Sequence, residues 1–120
     1  CPMGSYNDLY CTTGDGLLVQ ELLAGEEYSV NFVSTGGRHY LTDAQRYDKG
    51  PCFRILQTEW VVPDPAVVQY GKRVLDVLGV REGASHLEIM VTLERGPVLV
   101  ELNARIAGGS TSLVSQKAIV

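Results

Sequence analysis

The segment at residues 86–105 constrains the fold most, because polar and apolar side chains alternate along it around one turn. The apolar positions before the turn are Leu87, Ile89, Val91 and Leu93. A period of two directs successive side chains to opposite faces of a sheet. Residues 94–97 include the Gly-Pro pair that is typical of a turn. The pattern therefore predicts an antiparallel hairpin with one buried face and one polar face.

Extended runs upstream of this hairpin predict a larger antiparallel sheet. The runs cover residues 17–23, 28–35, 38–46 and 55–62. Gly36 and Gly37 separate two of these runs and form a favourable two-residue hairpin turn. Pro63 ends the last run, because proline cannot donate a backbone hydrogen bond to a neighbouring strand.

A helix follows the predicted strands. Asp64 is a good N-cap, Pro65 suits the first helical position, and apolar residues recur at helical spacing until Gly79. A second helix is expected to start near Ser110. The predicted fold is α+β, a mainly antiparallel sheet with packed helices, in which residues 1–16 form a loop or linker and residues 17–120 one domain.

Composition limits the classes of function. The 120 residues are 45% hydrophobic and 20% charged, which suits a single globular domain. The formal net charge of −4 offers no positive field to a nucleic-acid backbone. No apolar run approaches the roughly 20 residues that a membrane span needs. We therefore expect no nucleic-acid partner and no membrane insertion.

The cysteines favour a reducing compartment. Cys1, Cys11 and Cys52 are an odd set without a C-x-x-C pair, which favours neither a disulfide framework nor a zinc site. The expectation is free thiols in a reducing, cytoplasmic environment. The chain starts with cysteine and no signal segment follows, so we expect a fragment or a processed product.

The polar face of the last hairpin collects oxygen ligands. If Arg95 and Gly96 centre the turn, the register pairs Glu88 with Asn103, Met90 with Glu101, and His86 with Arg105. Glu88, Glu101, Asn103 and Arg105 then share one face. Two carboxylates and an amide oxygen at cross-strand distance are able to hold Mg²⁺. The alternative is that these side chains only cover the solvated face of a sheet.

The order and spacing of residues in this hairpin resemble a known metal-binding motif. His86-x-Glu88, the run from Gly96 to Arg105, and the following Gly108-Gly109 are similar to the metal-binding hairpin of ATP-grasp carboxylate–amine ligases. The resemblance implies that Glu88, Glu101 and Asn103 ligate Mg²⁺, with Mn²⁺ as a substitute. It implies that Arg105 contacts phosphate or the reacting centre.

A second segment, residues 19–30, resembles the hinge of the same family that holds adenine. The resemblance implies that Gln20, Glu21 and Leu23 lie at the adenine of ATP and that Glu27 binds the ribose hydroxyls. It also makes Lys49 the candidate for the phosphates, with Arg46 as the alternative. From the residues alone, Leu23 could be a core residue, while Glu27 and Lys49 could be solvated.

The resemblance implies an activity for the parent protein. Ligases of this family phosphorylate a carboxylate with ATP, and an amine then displaces phosphate to form an amide. The likeness is strongest to ligases that join amino acids, so amino-acid-like substrates are expected. Complete enzymes also have an amino-terminal domain and a lid that this sequence lacks, so the chain alone is expected to be inactive and to self-associate. The alternative is a non-catalytic ATP-grasp module that binds a nucleotide or a partner.

Overall fold

The computed structural model describes residues 19–108 of the chain. Its strands are β1 (Glu26–Thr35), β2 (Arg38–Lys49), β3 (Ile55–Trp60), β4 (Gly83–Thr92) and β5 (Gly96–Asn103), and its helix is α1 (Pro65–Val77). The strands form one sheet in the order β3-β2-β1-β4-β5, and each neighbouring pair is antiparallel. The predicted fold class is confirmed.

Strand β1 occupies the middle of the sheet and is buried on both sides. Val30 and Phe32 join the apolar core on the side of α1, whereas Ser29 and Asn31 between them face the opposite side and are also buried. The apolar core comprises Val30, Phe32, Ala44, Val67, Leu75, Leu87 and Ile89. The sheet therefore has an apolar face under the helix and a polar face on the other side.

Helix α1 covers the apolar face with one stripe of residues. Val67, Gly71 and Leu75 are its buried positions and recur every four residues. The Asp64 carboxylate accepts a hydrogen bond from the Ala66 N–H at 2.7 Å, which caps the start of the helix. The N-cap and the first helical proline lie where the sequence predicts them.

Several predicted boundaries need correction. Residues 19–24 form no strand, although a strand is predicted over residues 17–23. Strand β2 continues to Lys49, three residues beyond its predicted end, and β3 ends at Trp60 rather than residue 62. The predicted loop at residues 1–16 and the predicted helix near Ser110 lie outside the described residues.

Two further observations concern Cys52 and the helices of the structure. Cys52 is disulfide-bonded, so the prediction of a free thiol at this position is wrong. Cysteine spacing alone could not exclude a pairing that depends on tertiary proximity. No helix within residues 19–108 is long and apolar enough to cross a membrane.

The close approach of α1 to the sheet generates a stability prediction. A Cβ atom at Gly71 would lie 2.8 Å from Cε2 of the fully buried Phe32 ring. We therefore expect Gly71→Val to lower the free energy of unfolding by about 1–3 kcal/mol through overpacking, despite the helix propensity gained by replacing glycine. Gln69→Val is the matched control, because Gln69 is an exposed residue of the same helix. Urea denaturation measures both variants, and equal stabilities would contradict the close packing.

Candidate functional site

Three rows of directly opposed residues cross the polar face of the sheet. The first row contains Tyr47, Glu27 and Met90; the second contains Gln45, Ser29, Glu88 and Glu101; and the third contains Asp43, Asn31, His86 and Asn103. Opposed side chains in neighbouring strands lie roughly 5 Å apart. The rows therefore place polar groups of four strands side by side.

The register of the last hairpin differs from the predicted one. Glu88 opposes Glu101 rather than Asn103, and His86 opposes Asn103 rather than Arg105. The physical reason is a bulge: Glu88 pairs with Glu101 and Ile89 with Leu99, which leaves Val100 without an opposing residue. Glu88, Glu101 and Asn103 nevertheless share the polar face, as predicted.

Glu88 is held as a carboxylate. The His86 ring lies against it, with Nε2 3.7 Å from Glu88 Oε1. The neighbouring His86 ring lowers the pKa of Glu88, and the positive charges of Lys49 and Arg105 lower it further, whereas partial burial opposes these effects. Glu88 is therefore an ionised oxygen donor at neutral pH.

The oxygen donors fit Mg²⁺ in type. Glu101 Oε1 accepts a hydrogen bond from Asn103 Nδ2 at 2.7 Å, and Glu101 directly opposes Glu88 on the neighbouring strand. In the described part of the chain, no three His, Cys, Asp or Glu side chains form a group able to hold a metal ion. A cation here would be held by two carboxylates and an amide, with water and phosphate filling the other positions. Magnesium in nucleotide enzymes is often bound in this way.

All five residues predicted to bind the nucleotide line one cleft of about 210 Å³. Its walls are formed by Gln20, Glu21, Leu22, Leu23, Glu27, Lys49, Phe53, Met90, Leu99 and Val100. An adjoining cleft of about 580 Å³ shares Leu23, Glu27 and Lys49 with it. The segment at residues 19–24 thus contributes to the site as an irregular stretch, not as the predicted strand.

Gly25 explains how this irregular segment meets the sheet. A Cβ atom at this position would lie 2.2 Å from the Val91 carbonyl oxygen, so only glycine permits the approach. Glu21 accepts from the Arg95 guanidinium at 2.9 Å at the surface. These two contacts set residues 19–25 against the β4–β5 hairpin, beside the polar face.

Glu27 and Lys49 form an ion pair at 2.6 Å across this cleft. The Glu27 side chain is only 6% exposed and that of Lys49 26% exposed, so Glu27 does not lie in a solvated turn. Lys49 Nζ also lies 5.6 Å from the centroid of the Tyr47 ring. Arg46, the alternative cation, is instead paired with Glu59 at 2.6 Å at the surface.

Arg105 lies in the segment just beyond β5. Its Nη1 donates to the Ile106 carbonyl oxygen at 3.0 Å, and the side chain is exposed. Its charge contributes to the lowered pKa of Glu88, so the guanidinium lies within electrostatic reach of the metal candidates. The structure thus brings the predicted nucleotide and metal residues close together on the polar side of the sheet, with Arg105 in the segment that follows β5.

The chain is similar in sequence and in fold to known proteins. No protein-family model matches the chain. Dapdiamide A synthase of Enterobacter agglomerans is 30% identical to it over 119 residues, covering 93% of this chain and 28% of that protein. The crystal structure of L-amino acid ligase from Bacillus licheniformis matches with a TM-score of 0.66 and 22% identity over 76% of this chain and 25% of that one. The chain is thus similar in sequence to dapdiamide A synthase and in fold to the L-amino acid ligase, both of them ATP-grasp ligases.

A more distant ATP-grasp likeness is the biotin carboxylase of Campylobacter jejuni, solved as a β-γ-ATP complex. It matches with a TM-score of 0.59 and 15% identity over 82% of this chain and 23% of that one. The structural matches are below 25% identity and therefore establish the fold. The chain spans about a quarter of the length of these three proteins.

The structure adds residues to the candidate site that the sequence did not indicate. Phe53 and Met90 line the same cleft as Leu23 and supply apolar surface. Tyr47 lies in the first row, and its hydroxyl is hydrogen-bonded to Ser29. Burial raises the pKa of Tyr47. Met90 follows Glu88 by two residues, so strand alternation was a signal for it, whereas Phe53 is placed by a turn that the sequence does not reveal.

The Glu27–Lys49 pair predicts an asymmetric response to mutation. Lys49→Met leaves the buried Glu27 carboxylate without its cation and is expected to reduce the free energy of unfolding by about 1–3 kcal/mol. Arg46→Met is the matched control, because the pair of Arg46 and Glu59 has the same 2.6 Å distance but exposed side chains. Its loss is expected to cost less than the loss of the Glu27–Lys49 pair, because solvent screens the exposed charges. Urea denaturation compares them, and Glu27→Gln combined with Lys49→Met should recover part of the loss.

Proposed function

We propose that this chain is the nucleotide- and metal-binding half of an ATP-dependent ligase. The parent enzyme would join a carboxylate to an amine through an acyl-phosphate, releasing ADP and phosphate. The observation that carries this proposal is spatial: the five nucleotide candidates line one cleft, and this cleft adjoins the row in which Glu88 opposes Glu101. If these side chains only covered a solvated sheet face, the nucleotide candidates and the metal candidates would not need to lie next to one another.

The adenine and ribose would bind at one end of the polar face, and the phosphates would bind at the other end. Gln20, Glu21 and Leu23, with the apolar surface of Met90, would surround the adenine. Glu27 would accept hydrogen bonds from the ribose hydroxyls. Its Oε1 is engaged by Lys49, which leaves the second carboxylate oxygen for this role.

Lys49 and the second row would meet the phosphates. Lys49 supplies a positive charge between the ribose end and the metal end. Glu88, Glu101 and Asn103 would hold Mg²⁺, for which Mn²⁺ is a chemically similar substitute. When bound, the ion would neutralise phosphate charge. Arg105 would stabilise charge that develops on the transferred phosphoryl group.

This chemistry depends on positioning and on charge neutralisation. Phosphoryl transfer needs reactants held in line and negative charge offset, and it needs no nucleophile from the protein. One of the similar structures is named an L-amino acid ligase. Amino-acid-like substrates are therefore our proposal for the acceptor and donor.

Isothermal titration tests the nucleotide site. A non-hydrolysable ATP analogue should bind the chain more tightly with Mg²⁺ than without it, and Glu101→Ala should weaken the Mg²⁺-dependent binding by at least about tenfold. Glu94→Ala is the control, because Glu94 is an exposed acid in the β4–β5 turn. Glu27→Gln should weaken binding both with and without the metal.

The possible outcomes of this titration separate the proposals. Binding that ignores Mg²⁺ and survives Glu101→Ala would exclude the metal site and leave a nucleotide-binding module. A folded chain that binds no nucleotide at all would contradict an autonomous nucleotide site and favour a module that binds a protein partner.

We also propose that the chain self-associates through β3. This strand pairs only with β2 within residues 19–108, and Ile55, Leu56 and Trp60 expose much of their apolar surface along it. In a complete ligase, other domains would occupy such surface. Size-exclusion chromatography with light scattering should show dimers or larger species as concentration rises. Ile55→Lys should shift the chain towards monomer and Val62→Lys, outside the strand, should not; a wild-type monomer at high concentration would refute the proposal.

A further inference from the structure

Asn31 lies at the centre of a buried polar network. The nucleotide-binding and metal-binding roles proposed above do not explain this network. It is 3% exposed and belongs to the third row of the polar face. Its Nδ2 donates to Asp43 Oδ1 at 2.6 Å. Its Oδ1 lies 3.0 Å from His86 Nδ1 and 3.3 Å from the Ala107 N–H group. One amide thus connects β2, β4 and the segment that follows β5.

The partners of Asn31 determine its orientation. The Asp43 carboxylate only accepts hydrogen bonds, and the Ala107 N–H only donates one. The amide nitrogen must therefore face Asp43 and the amide oxygen must face Ala107. Asp43 is itself held, because Thr42 Oγ1 donates to its second oxygen at 3.0 Å. Thr42 is the extra residue of a bulge in β2, which gives its hydroxyl this position.

The oriented amide in turn sets the His86 ring. Because Asn31 Oδ1 is an acceptor, His86 Nδ1 must carry a hydrogen to bond with it. The other ring nitrogen, Nε2, then lies 3.7 Å from Glu88 Oε1. Rotation of the ring would break the bond to Asn31. Ser29 Oγ also lies 3.4 Å from Nδ1. Asn31 is the nearer partner, and it therefore contributes more directly to the position of His86 beside Glu88.

The same oxygen anchors the chain beyond β5. Ala107 is buried, and its N–H bond to Asn31 ties the segment at residues 104–107 back to the central strand. Arg105 lies in the middle of this segment. On its upstream side the segment continues from Asn103, the last residue of β5.

We infer that Asn31 is a positioning residue for the metal end of the site. It orients His86 against Glu88 and holds the segment that carries Arg105, while it is not among the residues that line the nucleotide cleft. The functional half of this inference rests on the proposed function. The geometric half concerns only contacts among residues of the chain itself.

Two matched double variants test the geometric half without any ligand. Asn31→Asp with Asp43→Asn exchanges donor and acceptor, so oxygen acceptors remain for His86 and Ala107 at unchanged net charge. Asn31→Leu with Asp43→Leu removes both members of the pair, so that Asp43 is not left without its donor, while His86 Nδ1 and the Ala107 N–H lose Asn31 as their acceptor. Amide exchange by NMR should be about tenfold faster at Ala107 in the leucine pair than in wild type, because one hydrogen bond is lost. The exchanged pair should keep wild-type protection.

The ring nitrogens of His86 give a second readout. Long-range ¹H–¹⁵N spectra should show a hydrogen on Nδ1 in the wild type and in the exchanged pair, and an altered pattern in the leucine pair. Unchanged Ala107 protection and an unchanged His86 spectrum in the leucine pair would overturn the inference. Loss of both signals in a folded exchanged pair would also overturn it.

Titration of the ATP analogue tests the functional half. The leucine pair should lose several-fold of its Mg²⁺-dependent affinity but keep its affinity in the absence of Mg²⁺, and the exchanged pair should keep both. Equal losses with and without the metal would reduce Asn31 to a general structural residue. If the wild-type chain binds no nucleotide, the proposed function fails, while the exchange data still decide whether Asn31 positions His86 and Ala107.

Discussion

The structure depends on β1 being buried on both faces. Because β2 and β4 flank it and α1 covers one side, its alternate residues serve two different purposes. Val30 and Phe32 belong to the apolar core, whereas Ser29 and Asn31 form the floor of the polar face. Buried polar side chains are tolerated when they are hydrogen-bonded. The hydrogen bonds of Asn31 meet this requirement and fix side chains around the site at the same time.

Charge on the polar face involves a conflict between stability and binding. Glu27, Glu88 and Glu101 bring negative charge to one surface, and in the folded chain Lys49 offsets part of it. A metal ion and the phosphates of a nucleotide would bring further charges of both signs. A pocket suited to these ligands is therefore not expected to be the arrangement that is most stable without them.

Local pattern predicted much of the fold and the identity of the polar residues, because alternation and caps act over a few residues. Asp64 and Pro65 start the helix as expected, and the β1–β2 hairpin turns at Gly36 and Gly37. The sequence could not predict the disulfide at Cys52 or the place of Phe53 in the cleft, since both depend on residues brought together by folding. The strand predicted over residues 17–23 is absent from residues 19–24, and Gly25 after them lies against the Val91 carbonyl of β4.

The bulge at Val100 explains why Glu88 and Glu101 share the predicted face although the predicted strand register is wrong. Near the turn, Met90 opposes Val98; continued without interruption, that register would set Glu88 opposite Val100 and direct Glu101 towards the helix. The extra residue reverses the alternation and returns Glu101 to the polar face. Helix α1 supports this irregularity from the other side, because the Tyr70 hydroxyl accepts a hydrogen bond from the Leu99 N–H at 2.9 Å. The helix that covers the apolar core therefore also stabilises the irregularity on which the pairing of Glu88 with Glu101 depends.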